Sequence, residues 1–96
     1  MRLDLLETTA KTACKNAFED FKHYIDNALW PLTDNIVQIE LDKMLESSGQ
    51  KFYKYVHDNY EPTDAQYDWL KGLLKKYQDI SYNTAFNYAK KKMPPK

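Results

Sequence analysis

One cysteine, two glycines and four prolines are all that ninety-six residues contain of the types that staple, loosen or break a chain. The lone thiol, Cys14, has no internal partner, so a disulfide-braced secreted scaffold is not expected. With no basic-then-apolar leader at the start of the sequence, the expected compartment is the cytoplasm. Two glycines are too few for the many tight turns of a sandwich or barrel. The apolar clusters, such as Ala28, Leu29 and Trp30, stay far below the roughly 18–20 residues that cross a bilayer, so no membrane partner is expected. Net charge is also missing, because fourteen basic residues cancel fourteen acidic ones. That balance argues against binding driven by bulk positive charge.

Catalytic apparatus is equally sparse. The two histidines, His23 and His57, are far apart in the chain and belong to no HxxxH, HExxH or CxxC spacing, so no metal site is expected. Cys14 falls within an apolar stripe, where a small thiol is inert. There is no glycine-rich phosphate loop, and Asp34, Asp42, Asp58 and Asp64 lack the spacing of a calcium loop. The expectation is a protein that is not an enzyme and carries no cofactor.

What the chain does have is helical periodicity. Leu6, Ala10, Ala13, Ala17, Phe21, Tyr24 and Ala28 recur every three or four residues, predicting a long first helix over 3–29 that Pro31 stops. Thr33, Asp34 and Asn35 are N-cap candidates for a second, with Ile36, Val37, Leu41, Met44 and Leu45 on its apolar side. The alternation Val37, Ile39, Leu41 also fits a strand, but no second strand candidate exists to pair with it. Ser47, Ser48 and Gly49 read as a break. A short third helix over 50–59 follows, closed by Pro62. Thr63 and Gln66 have the form of a capping box ahead of a fourth helix bearing Tyr67, Leu70, Leu73, Leu74 and Tyr77. Ile80 and Ser81 punctuate the chain before a fifth, which Pro94 and Pro95 end. The expected fold is all-α: a single-domain bundle of about five helices over 1–96, one long N-terminal helix with four shorter ones packed on it.

Charge is segregated along the chain. Up to Ser48 there are five basic residues against nine acidic; beyond it, nine lysines face five acidic residues and ten of the fourteen aromatics. The basic half, 49–96, is the candidate for nucleic acid, with DNA the expected partner. In the fourth helix Lys71, Gly72, Lys75 and Lys76 project opposite the apolar stripe, beside Asp68. A mid-helix glycine there fits close approach of a phosphate, or simply a tolerated surface position. In the fifth, Asn83, Asn87, Lys90 and Lys91 share an outward face; asparagine can pair bidentately with adenine while lysines meet phosphates. The segment from Leu73 through Ile80 and Ser81 to Ala85 resembles the turn and second helix of a helix-turn-helix, although no glycine opens the turn. That resemblance implies Tyr82, Asn83, Asn87 and Lys90 as base readers. Lys96, beyond the prolines, would extend a basic tail.

A second reading comes from the aromatics. Eight tyrosines are too many for a small core to bury with every hydroxyl satisfied, so several are expected at the surface, where rings among lysines suit a stacking platform for single-stranded nucleic acid and where tyrosine and tryptophan also dominate protein-binding hot spots. Trp30 and Trp69 are the two large anchors for such a partner. In that case the protein is an inhibitor, immunity or adaptor protein, in a style that resembles accessory proteins of phages and mobile elements. The opposed charges of the two halves also permit a homodimer, acidic half against basic half.

Overall fold

The computed structural model describes residues 2–93 as three helices, α1 (Leu3–Asp26), α2 (Asp34–Asn59) and α3 (Asp64–Lys92), running up, down and up. They are of nearly equal length, about 36–43 Å at 1.5 Å per residue, which accounts for a body of 48 × 19 × 19 Å. Their apolar stripes meet in two core clusters stacked along the bundle. The first half of α1 packs with the second half of α2 and the first half of α3, around Leu6, Ala10, Phe52, Val56, Leu70 and Leu74. The remaining halves enclose Phe21, Ile25, Val37, Leu41, Met44, Ala85 and Ala89. Small residues on α1 (Ala10, Ala13, Cys14, Ala17) and α3 (Ala85, Ala89) are buried, and side chains this short let helix axes approach closely.

The ends of the helices follow the local chemistry. Pro31 bars the preceding residue from helical geometry, and α1 stops earlier than the stripe implied, at Asp26, where the Asn27 amide donates to the His23 carbonyl at 2.8 Å. The Thr33 hydroxyl accepts from the Ile36 N–H at 3.2 Å and caps α2. Thr63 and Gln66 form the full reciprocal capping box at α3. Residues 36–41 are helix, not strand.

Three helices replace the five expected, and α1 is the shortest of them rather than a spine for shorter partners. Both supposed breaks are continuous helix, for reasons that lie across the bundle. The Ser48 hydroxyl, fully buried, donates back to the Leu45 carbonyl at 2.8 Å, while the Gln78 amide donates to Ser48 Oγ at 3.0 Å and to Leu45 O at 3.1 Å. Ser81, half-buried rather than capping, reaches Cys14 together with Ser48. Cys14, Ser48, Gln78 and Ser81 thus form a polar layer between the two apolar clusters. Gly49 keeps a helical backbone with no positive φ, and Thr84 folds its hydroxyl back onto the Ile80 carbonyl at 2.9 Å. With no turn at 80–81, the helix-turn-helix expectation fails: its two supposed helices are one rod. Pro94, Pro95 and Lys96, the expected stop and basic tail, lie outside the described residues.

Gly72 has helical backbone and open space where a Cβ would stand. Glycine in an exposed helix interior costs about 1 kcal/mol relative to alanine. Gly72→Ala is therefore expected to raise the melting temperature by roughly 4–8 °C in a domain of this size, measured by thermal circular dichroism; an unchanged or lower value would mean that the glycine relieves a contact absent from this structure.

Candidate nucleic-acid interface

The three helices do not share charge evenly. α3 carries six lysines against three aspartates, whereas α1 and α2 each carry three lysines against five carboxylates. Position around each helix matters more than these totals. On α1, Lys11, Lys15 and Lys22 fall with Phe18 at spacings of four, three and four, one stripe along the side that faces α3. On α3, Tyr77, Ile80, Thr84, Tyr88 and Lys91 make the matching stripe. Between them runs a groove lined by Lys11, Lys15, Phe18, Tyr77, Ile80 and Thr84, with Cys14 and Ser81 at its floor. The aspartates of α3 (Asp64, Asp68, Asp79) project about the other flank, toward α2, where Asp79 lines the α2/α3 groove.

Two tyrosines organise this face. Tyr77 donates its hydroxyl to Glu7, and its ring lies under the ammonium groups of Lys11 (5.5 Å) and Lys76 (5.4 Å). Eleven residues on, Tyr88 repeats the arrangement: its hydroxyl donates to Asp26, and Lys22 and Lys92 each stand 5.7 Å from its ring centre. Phe18 meets the Tyr88 ring edge-on at 6.3 Å. Each ring therefore gathers one lysine from α1 and one from α3, and its hydroxyl is fixed by a carboxylate of α1. The Tyr77 hydrogen bond, helped by Lys11 and Lys76, holds the Glu7 carboxyl below its ordinary range against partial desolvation. Tyr77 itself is pushed up to about 12, by that hydrogen bond first and by burial second, and Tyr88 is raised for the same reasons through Asp26.

Among the described residues the ion pairs are Arg2–Asp4, Lys43–Glu40, Lys51–Asp20 and Lys54–Asp58. No lysine of the α1/α3 face takes part in one. The carboxylates on or beside that face are Asp4, which pairs with Arg2; Glu7 and Asp26, which both accept from tyrosines; and Glu19, one turn beyond Lys15.

The residues singled out in the sequence are only partly brought together. Asn83, Asn87, Lys90 and Lys91 are exposed along the outer side of α3, and because the helix is unbroken Lys76 continues their row. Lys71 and Lys75 do not oppose the apolar stripe; they line the α2/α3 groove with Leu45, Tyr53 and Asp79. Tyr82 turns toward α2, donating to Gln38 at 3.3 Å and stacking on Phe86 at 6.5 Å, so it is not a reader on the outer face. Trp69 is 41% exposed on α3, far from Trp30, which is 77% exposed at the α1–α2 connection. Sequence reasoning missed Lys11, Lys15 and Lys22, hidden within a half counted as acidic. Their spacing at i, i+4 and i+11 was the available signal.

Elsewhere the chemistry is quiet. Burial pushes the Cys14 thiol up, only partly opposed by hydrogen bonding with Ser81 and Ser48, which favours the protonated form. His57 is hydrogen-bonded to the Tyr67 hydroxyl at 3.0 Å. Among the described residues no group of three or more His, Cys, Asp or Glu could hold a metal ion, and no helix is long and apolar enough to cross a membrane. Comparison of the chain with protein-family models, with curated proteins and with solved structures finds no match.

The Glu7–Tyr77 bond gives a two-sided pH signature. A lowered carboxyl contributes stability that is present above its ordinary range and lost as pH falls through its folded value. A raised tyrosine contributes stability that is present below its ordinary value and lost as pH rises toward about 12. Side-chain NMR titration should find Glu7 titrating low in the native protein and returning toward the ordinary carboxylate range in Tyr77→Phe; an identical Glu7 titration in both would remove Tyr77 as the cause.

Proposed function

We propose that the protein is a small nucleic-acid-binding accessory protein whose interface is the α1/α3 face rather than a helix-turn-helix. The observation that carries this reading is the convergence of Lys11, Lys15 and Lys22 with Lys76 and Lys92 on one side of the bundle, none of them in an ion pair among the described residues. Surface lysines ordinarily offset nearby carboxylates, as Lys43, Lys51 and Lys54 do. Here the two nearest carboxylates, Glu7 and Asp26, accept from tyrosine hydroxyls and keep their charge, and with no direct ion pair to hold the lysines their N–H donors stay available to phosphates. The tyrosine-centred clusters lie about 16 Å apart along α3 at 1.5 Å per residue, so a polyanion following the groove meets positive charge at both ends. Asn83, Asn87 and Lys90 border the face and supply hydrogen-bond donors and a further charge.

Binding of this kind is salt-dependent, with a slope of nearly one for each phosphate neutralised. In fluorescence anisotropy with labelled DNA across a salt series, Lys11→Glu with Lys15→Glu is expected to weaken binding at low salt and reduce the slope by about two units. Lys54→Gln, on α2, should leave both unchanged. Full affinity in the α1 double variant would defeat the assignment of this face, even though those lysines lie outside the basic half of the sequence.

A further inference from the structure

The connection between α1 and α2 ends the bundle on an exposed indole. Trp30 forms one wall of a pocket of about 490 Å³, with Tyr88, Lys22, Lys92 and Asp26 around it; sites for small ligands typically span about 300–1,000 Å³. Pro31 fixes the backbone beside the ring, and the buried Leu32 anchors the loop in the core cluster of Phe21, Ile25 and Val37. Lys22 and Lys92 are the same lysines that flank the Tyr88 ring, so the pocket is continuous with the end of the basic face. A strand lying along the α1/α3 groove arrives here with phosphates near two ammonium groups and a base beside an aromatic plane.

Resting on the nucleic-acid reading above, we infer that Trp30 is a stacking platform for an unpaired base, which makes the substrate class single-stranded or locally open nucleic acid. The indole presents a π-face that any base can meet, whereas in an intact duplex the faces of the bases are already stacked on one another. Lys22 and Lys92 hold the flanking phosphates, and the Asp26 carboxylate, already accepting from Tyr88, borders the base edge. Recognition by stacking is tolerant of sequence, so the expected preference is for strandedness rather than for a motif.

The test compares a labelled oligothymidine with a labelled duplex of equal length at fixed low salt, for the native protein, Trp30→Ala, Trp30→Phe and the Lys11→Glu, Lys15→Glu double variant. Because Trp30 is exposed, its truncation leaves both core clusters intact, which circular dichroism verifies. Trp30→Ala is expected to lose roughly 5- to 100-fold in affinity for the single strand and less than twofold for the duplex, and Trp30→Phe to recover most of the loss. If Trp30→Ala binds the single strand like the native protein, or weakens both substrates equally, the stacking inference falls; weakening by the lysine variant in the same experiment leaves the interface itself standing. If the native protein binds neither substrate, the interface and the platform fall together, and the exposed tip is left to a protein partner.

Discussion

The register of the three helices rests on a polar layer. Apolar surfaces attract without direction and would tolerate a helix sliding by a turn. The hydrogen bonds of Gln78 to Ser48 Oγ and Leu45 O would not, since leaving a buried amide or hydroxyl unpaired costs about 1–3 kcal/mol. With Cys14 and Ser81 completing the layer, α2 and α3 are fixed against each other and against α1 at mid-height. Tyr77 and Tyr88 sit on either side of this layer, so the same register brings their hydroxyls to Glu7 and Asp26 and their rings beneath lysines of both helices. The basic face is therefore a product of core specificity: slide α3 by one turn and each ring loses its carboxylate and its α1 lysine.

That dependence explains which parts of the molecule could be read in the sequence. Helical class, the buried positions of α1, the Thr63–Gln66 capping box and the interruptions at Pro31 and Pro62 are local properties of periodicity and backbone chemistry. Ser48–Gly49 and Ile80–Ser81 misled because serine and glycine usually end helices, and only a partner across the bundle reverses that preference. Ser48 has Gln78, and Ser81 has Cys14. Nothing in the neighbouring residues announces either pairing.

Charge was misread for a related reason. Counting along the chain divides the protein into an acidic and a basic half, but an up-down-up bundle sets the start of the chain beside α3. Lys11, Lys15 and Lys22 belong to the acidic half by number and to the basic face by position. Lys71 and Lys75 belong to the basic half and end beside Asp79 in a different groove. Zero net charge is thus compatible with a lysine-rich side, because the aspartates of α3 project away from it and the carboxylates of α2 belong to another helix, where lysines or amides largely engage them.

The lysines over Tyr77 and Tyr88 carry one more consequence. A free lysine side chain gives up roughly 1.5–2 kcal/mol of rotamer entropy when a ligand immobilises it. Four of the lysines on this face already rest against an aromatic ring, 5.4 to 5.7 Å from its centre, so part of their freedom is lost before any phosphate arrives. For the polyanion proposed above, rings that do not touch it would in this way increase affinity by preorganisation. Replacing such a tyrosine would loosen the lysines above it without removing a single charge, and the protein would hold the same formal potential on a less ordered surface.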